Sequence, residues 1–305
     1  MREHIPTFAP VFGQEERSSI IMTTLTKEYL TSGKDVDRFE RTFAKYIGLQ
    51  YGVMVNSGSS AAEVAFKSMD WKHGDKIIVP ACGFPTPISE PLYCGVIPVF
   101  VDCELGTYNP SPQMVKDCIK RTNGIVGAIM AHNLGNPLDP DVWTLSGWSI
   151  EDACDALGSM VNGKMCGSFG SVSIHSFYPA HGITTVEGGM CVTRNHNTYE
   201  TMRSINSWGR DCQCSPGEDG RCNKRFNYMV DGVPYDHKYI VKIPGGNYHV
   251  TEDKGPLGIL QLSKEMIFRK RRHKNFAIIY RILEDIQDRI YLPKSIANAE
   301  PAWFG

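Results

Sequence analysis

Alternating strand and helix patterns, sustained over roughly 150 residues, predict an α/β protein: a mostly parallel sheet with helices on both faces. A second observation agrees. Polar motifs stand where the apolar runs end, at residues 56–60, 81–86, 132–136 and 152–155, and ligands in such sheets sit at the carboxyl ends of strands. Taken in order, residues 15 to 48 read as helical. Glu15–Leu25 is one segment. Val36–Ile47 is another, with Val36, Phe39, Phe43 and Ile47 close to 3.6 spacing. Tyr51–Val55 is a short apolar strand and Ser60–Met69 a helix. Lys76–Pro80 and Val96–Val101 are strands, Met114–Arg121 is helical, and Gly127–His132, Ser149–Asp152 and Ser171–Phe177 are strands. Residues 209–247, rich in Gly, Asp, Cys and Tyr, show no period and read as a long functional insertion. A long amphipathic helix is expected from about Leu257 to about Asp285, with Lys270-Arg271-Arg272 on its solvated face.

A chain of 305 residues is long enough for one large α/β domain and part of a second. Hydrophobic content of 42% and charged content of 21% are ordinary for a globular protein. The formal net charge of -1 argues against nucleic acid or an anionic membrane as partner. The first residues lack the apolar region of a secretory signal, and no apolar run approaches the ~18 residues of a membrane helix, so a cytoplasmic protein is expected. Ten cysteines are many for such a chain, but disulfide frameworks belong to much smaller secreted domains. Cys82, Cys94, Cys103, Cys118, Cys166 and Cys191 are expected to be small buried hydrophobes.

Four segments can carry chemistry. Asn56-Ser57-Gly58-Ser59-Ser60-Ala61 joins a strand to a helix, where small residues let backbone N–H groups reach an anion; taken on its own, an ordinary helix cap is the better explanation. Phe84, in Ala81-Cys82-Gly83-Phe84-Pro85-Thr86, reads either as a core aromatic or as a ring that covers a ligand. Asp152, in Glu151-Asp152-Ala153-Cys154-Asp155-Ala156, reads either as a cap or as a carboxylate facing a ligand. The fourth segment is Ser176-Phe177-Tyr178-Pro179-Ala180-His181-Gly182-Ile183-Thr184-Thr185-Val186-Glu187-Gly188-Gly189. Its imidazole, His181, can move protons near neutral pH.

In this order the motifs resemble the DegT/DnrJ/EryC1/StrS sugar aminotransferase family over nearly the whole chain. The resemblance implies the aspartate-aminotransferase fold (fold type I of the PLP-dependent transferases). Residues 1–256 would form the large cofactor-binding domain, with a Cys-rich insertion at about 209–247. Residues 257–305 would be a long helix and the incomplete start of a small C-terminal domain. Gly58, Ser59, Ser60 and Ser176 would hold the cofactor phosphate, Phe84 would stack on the pyridine ring, and Asp152 would keep the ring nitrogen protonated. Asn247, in Gly245-Gly246-Asn247-Tyr248-His249, would reach the phosphate of the other subunit in a homodimer. His181 stands where the family carries the lysine that bonds to pyridoxal phosphate, a swap that marks the 3-dehydratases of nucleotide-linked 4-keto-6-deoxysugars. The cofactor would then be pyridoxamine phosphate (PMP), held without a covalent bond, with His181 as proton carrier.

Cys154, Cys212, Cys214 and Cys222 have the spacing C-x57-C-x-C-x7-C. From spacing alone, four thiolates suit a [2Fe–2S] cluster or a zinc ion, or bind nothing. The flanking Trp208-Gly209-Arg210-Asp211, Lys224-Arg225-Phe226 and Tyr235-Asp236-His237-Lys238-Tyr239 resemble the iron–sulfur branch of the 3-dehydratases. That branch implies a CDP-linked sugar, a [2Fe–2S] cluster and an NAD(P)H-dependent iron–sulfur flavin reductase as electron donor. The alternatives are an iron-free dehydratase, or a truncated homologue without catalysis. A plain aminotransferase ranks low, because the nearest lysines, Lys164 and Lys224, are not placed to replace His181.

Overall fold

The computed structural model describes residues 9, 11–212, 214 and 223–304. Two helices, α1 (Gln14–Thr26) and α2 (Lys34–Ile47), precede an alternating core: β1 (Tyr51–Val55), α3 (Gly58–Ser68), β2 (Lys76–Pro80), α4 (Thr86–Tyr93), β3 (Ile97–Val101), α5 (Pro112–Arg121), β4 (Ile125–Ala131) and β5 (Trp148–Asp152). The chain continues through β6 (Met160–Val161), β7 (Lys164–Met165), β8 (Val172–Ser176), β9 (Gly189–Thr193), α6 (His196–Asn206), β10 (Tyr228–Val230), β11 (Val233–Tyr235), α7 (Lys254–Glu284) and β12 (Ala299–Glu300).

Seven strands form one sheet in the order β1-β9-β8-β5-β4-β2-β3. Neighbours pair in parallel except that β9 runs against both β1 and β8. Strands β1, β2 and β9 are apolar runs buried along nearly their whole length, whereas β8 alternates and buries the polar Ser173 and His175. The edge strand β3 carries Pro98, tolerable where one side of the strand has no partner. Apolar clusters fill both faces. One groups Val53, Ala61, Phe66, Ile129, Ile150 and Met202; another groups Phe39, Phe43, Ile47, Phe177 and Leu262.

Helix α2 shows how distant residues fix an element. Val36, Phe39, Phe43 and Ile47 face the core, as their spacing predicts. Its amino end is capped by Glu252, whose carboxylate accepts from Gly33 N (2.6 Å) and Asp35 N (2.8 Å). Helix α7 lies against it closely because Gly258 carries no side chain; a Cβ there would come 2.4 Å from the Phe39 ring.

Several sequence expectations are revised. Strand β9 and helices α4 and α6 were not expected. Helix α4 contains Pro87 and Pro91, which hide its period, and β9 is a five-residue run that periodicity cannot assign. Within residues 209–247 the chain forms the β10–β11 hairpin and a turn at His237–Tyr239. Cys118, Cys166 and Cys191 are buried, but Cys82 and Cys94 are exposed and Cys103 is half-buried. Cys82 and Cys103 lie just beyond the ends of β2 and β3, outside the core. Arg272 is not on a solvated face. It donates to Ala302 O (3.1 Å) and Gly182 O (3.5 Å), while Trp303 stacks on Phe276 (4.0 Å, 7°). Residues 299–304 are thereby folded back towards the sheet.

Glu16 docks α1 on α7. Its buried carboxylate accepts from Gly13 N (2.8 Å), Lys264 Nζ (2.7 Å) and Gln261 Nε2 (3.0 Å). Burial acts to raise its pKa, but Lys264, the Gly13 N–H and Gln261 outweigh it and hold the group at about 2. A depressed carboxyl stabilises the fold above its unfolded pKa and loses that contribution as the pH falls towards the folded value. Glu16→Gln is therefore expected to cost about 2 kcal/mol at pH 7. The loss should shrink between pH 5 and pH 3, as measured by urea unfolding across that range.

Candidate active site

A cavity of about 470 Å³ opens at the carboxyl ends of β4, β5 and β8, beside the amino end of α3. Gly58, Ser59, Phe84, Asp152, Cys154, Ser176 and His181 all line it. Segments far apart in sequence thus converge, as the strand-end motifs require.

One end of the cavity is a cradle for an anion. Ser57 caps α3, its Oγ accepting from Ser60 N (3.0 Å). Gly58 lies so close to Ser176 that a Cβ would fall 2.6 Å from the serine Cβ. Glycine is required by this approach, and it brings the first turn of α3, at Gly58 and Ser59, to the cavity wall, where a helix terminus favours an anion. Ser59 Oγ lies 3.2 Å from Thr86 Oγ1. Ser60 is not in the lining; its hydroxyl donates to Asn56 Oδ1 (2.5 Å).

The middle of the cavity is marked by Asp152, at the end of β5 between Ala131 of β4 and Ile174 of β8. Burial, the largest influence, pushes its carboxyl above the ordinary range; the thiol and N–H of Cys154 and the His181 ring oppose this, and Asp155 adds to it. Its Oδ1 accepts from Cys154 N (3.0 Å). A buried acid short of donors favours a cationic N–H partner. The preceding Glu151 is the opposite case. It accepts from Gly167 N (2.5 Å), Phe169 N (2.7 Å) and Gly170 N (2.7 Å). Its Oε1 also lies 2.7 Å from His132 Nε2. Leu138 N donates to His132 Nδ1 (2.8 Å), so that nitrogen carries a lone pair and the ring is the neutral Nε2–H tautomer, donating to Glu151.

The far end holds His181. Its ring stacks on Phe304 (5.3 Å, 25°) and meets Tyr178 edge-on (6.5 Å, 75°). Nδ1 lies 3.3 Å from Asp155 Oδ1 but makes no aligned hydrogen bond. Gly182 packs against Leu157, where a Cβ would come within 3.2 Å. Among the described residues no lysine lines the cavity. Phe84, 68% exposed, flanks the opening.

Other expected positions lie elsewhere. Asn247 bridges to Ser207 away from the cavity, with Oδ1 accepting from His249 N (3.4 Å). Cys212 and Cys214 follow α6 outside the lining, and Cys222 falls outside the described residues. Cys154 sits in the cavity wall, its thiol 3.9 Å from Ile174 O. Burial, reinforced by Asp152, pushes that thiol well above its ordinary pKa, so it is a neutral group here. Among the described residues, no group of three or more His, Cys, Asp or Glu stands together as a metal site. The described thiols alone therefore do not assemble a cluster site.

The sequence left Ser57, Asn133, Asp155, Tyr178, Glu187 and Phe304 unassigned, although all line the cavity. Ser57, Asp155 and Tyr178 lie inside segments that were recognisable, whereas no local signal marks Phe304.

Comparison with known proteins gives the family and the fold. The profile of the DegT/DnrJ/EryC1/StrS aminotransferase family matches residues 12–305. The dTDP-4-dehydro-2,6-dideoxy-D-glucose 3-dehydratase of Saccharopolyspora spinosa is 37% identical, over 97% of this chain and 66% of that protein. The GDP-4-keto-6-deoxy-D-mannose 3-dehydratase of Yersinia pseudotuberculosis is 30% identical, over 95% and 74%. Among solved structures, the E. coli GDP-4-keto-6-deoxy-D-mannose-3-dehydratase with bound hydrated PLP superposes with a TM-score of 0.82 at 27% identity, covering 99% of this chain and 77% of that one. The chain spans between about two thirds and three quarters of the length of these relatives. By sequence and by fold, it belongs to the DegT/DnrJ/EryC1/StrS aminotransferase family.

Proposed function

We propose that the chain is a PMP-dependent 3-dehydratase of a nucleotide-linked 4-keto-6-deoxyhexose. One observation carries the reading: the cavity offers an imidazole, His181, and no lysine among the described residues of its lining. A transaminase needs a primary amine there to bond to the cofactor.

The cavity suits PMP. The cradle of Gly58, Ser59 and Ser176 would take the phosphate, the raised carboxyl of Asp152 would pair with the pyridine nitrogen, and Phe84 would cover a ring face. When bound, this cofactor supplies an amine for the sugar ketone and a ring that stores electrons. Asp152 would keep the ring nitrogen protonated. His181 would be the proton carrier at the C4′ methylene and at the hydroxyl leaving sugar C3. Asp155, beside Nδ1, steadies the imidazolium between the two transfers.

The finer reading has this chain as an iron–sulfur member acting on a CDP-linked sugar in 3,6-dideoxysugar and O-antigen synthesis. It rests on the C-x57-C-x-C-x7-C spacing and the flanking motifs. Cys154, Cys212, Cys214 and Cys222 would hold a [2Fe–2S] centre fed by a flavin reductase. The chain would act as a homodimer in which Asn247 of the partner subunit reaches the phosphate. Residues 1–256 would be the cofactor domain, and residues 257–305 would belong to a second. The iron-free dehydratase is the competing reading. No described helix is long and apolar enough to cross a membrane.

Two measurements test this. His181→Asn is expected to bind PMP within a few-fold of the parent and to lose about 10³-fold in C3 dehydration. Full activity in the variant would sink the reading. Anaerobic reconstitution followed by iron and sulfide analysis should find about two irons per chain, falling to background in Cys212→Ser. A colourless, iron-free protein that still dehydrates the sugar would select the iron-free reading.

A further inference from the structure

Strands β2 and β3 pair in parallel with an unbroken register, from Lys76 opposite Ile97 to Pro80 opposite Val101. The ladder runs one residue further, since Ala81 N donates to Val101 O (2.8 Å). The same register, carried just past Pro80 and Val101, sets Cys82 opposite Cys103. Neighbouring strands lie about 4.8 Å apart, within the roughly 4.4–6.8 Å that a disulfide spans between Cα atoms. The side chains do meet: Cys82 acts on the Cys103 thiol both as a nearby charge and as a hydrogen-bonding neighbour. Both thiols are free, Cys82 exposed and Cys103 half-buried.

Each thiol belongs to a loop at the cavity. Cys82 stands just before Phe84, which flanks the opening, and its carbonyl accepts from Asn133 Nδ2 (3.1 Å). Cys103 opens the turn in which Glu104 N donates to Asn109 O (3.1 Å) and Tyr108 N to Glu104 O (2.9 Å). Asn133 Nδ2 donates to that turn as well, at Tyr108 O (2.6 Å). A covalent link between the loops would fasten the Phe84 loop at a second point. We propose that Cys82 and Cys103 form a reversible disulfide that ties the Phe84 loop to the turn after β3, so that oxidation stiffens the mouth of the cavity. The inference needs the cavity and not the identity of its ligand.

The oxidant is a low-molecular-weight disulfide. The thiolate of Cys82, the exposed partner, attacks one of its sulfurs and releases the first small thiol. The Cys103 thiolate then attacks the Cys82 sulfur of the mixed disulfide and releases the second. Two electrons pass to the small disulfide, the two protein thiol protons end on the two released thiols, and one sulfur–sulfur bond breaks as another forms. Burial, then Cys82 and Asp102 beside it, push the Cys103 thiol up, so closure of the ring quickens as the pH rises. An excess of small thiol runs the sequence backwards. Disulfides that come and go in this way are the redox-sensing kind.

The test treats the folded protein with oxidised glutathione, blocks the remaining thiols with iodoacetamide, and digests with trypsin and chymotrypsin. Cleavage at Tyr93 and Phe100 puts Cys82, Cys94 and Cys103 on three separate peptides. Mass spectrometry is expected to find the Cys82 and Cys103 peptides joined and Cys94 blocked, and dithiothreitol should part them. Hydrogen exchange at the Ala81 amide, whose bond to Val101 O opens only when the two loops separate, should slow about tenfold on oxidation. No slowing is expected in Cys82→Ser or Cys103→Ser treated alike. Cys82 joined to glutathione with Cys103 blocked, or bonded to another cysteine, overturns the pairing. A Cys82–Cys103 bond that leaves Ala81 exchange unchanged overturns the stiffening of the mouth.

Discussion

The active end of the sheet depends on one buried carboxylate, Glu151. Burial alone would raise its pKa, yet His132 and the N–H groups of Gly170 and Gly167 hold it below the ordinary range. Each lost partner would leave a buried donor unsatisfied, at about 1–3 kcal/mol apiece. The same contacts position three pieces of chain. Residues 167–170 are fastened beneath β5, and His132 is fixed at the end of β4. Through His132 Nδ1 and Leu138 N, the turn carrying Asn133 is fixed as well. Asn133 then ties down the carbonyls of Cys82 and Tyr108, and so the loop that presents Phe84.

Adjacent carboxyls in one strand are used in opposite ways. Strand geometry sends Glu151 and Asp152 to opposite faces of the sheet. Glu151 meets a full set of donors supplied by the protein. Asp152 meets one backbone N–H and a thiol, so its burial goes uncompensated and its pKa rises. The protein has spent its hydrogen bonds on the first carboxyl and withheld them from the second. The withheld contact is what a protonated ring nitrogen would supply.

Much of this was legible in sequence because it is local. The strand–helix alternation gave the sheet, and the loop at Gly58, the acid at Asp152 and the serine at Ser176 stand at strand or helix ends, where ligands gather in such sheets. The roles proposed for them, and for His181, come from the resemblance to the family. What was not legible is non-local. Phe304 reaches His181 only because Arg272 and His273 hold the carbonyls of Ala302 and Pro301 while Trp303 stacks on Phe276. Asn133 is tied to the carbonyls of Cys82 and Tyr108, from two separate loops, and no local pattern announces such contacts. Strand β9 was missed because an antiparallel strand inside a parallel sheet has no signature in a five-residue apolar run. Exposed Cys82 and Cys94 escaped a rule that treats every unassigned thiol as core.

Replacing a covalent anchor with an imidazole changes what the rest of the cavity must do. A lysine that bonds to a cofactor holds it whatever the other contacts contribute. On the proposed reading His181 makes no such bond, and retention falls to the non-covalent contacts alone. Those contacts are the helix-end cradle at Gly58, the carboxyl of Asp152 and the aromatic cover of Phe84. Each would restrain a different freedom: the cradle translation, Asp152 the tilt of the ring axis, and Phe84 the motion out of plane. His181, beside Phe304 and Asp155 and not consumed in a bond, would then be free to carry protons between the cofactor and the sugar.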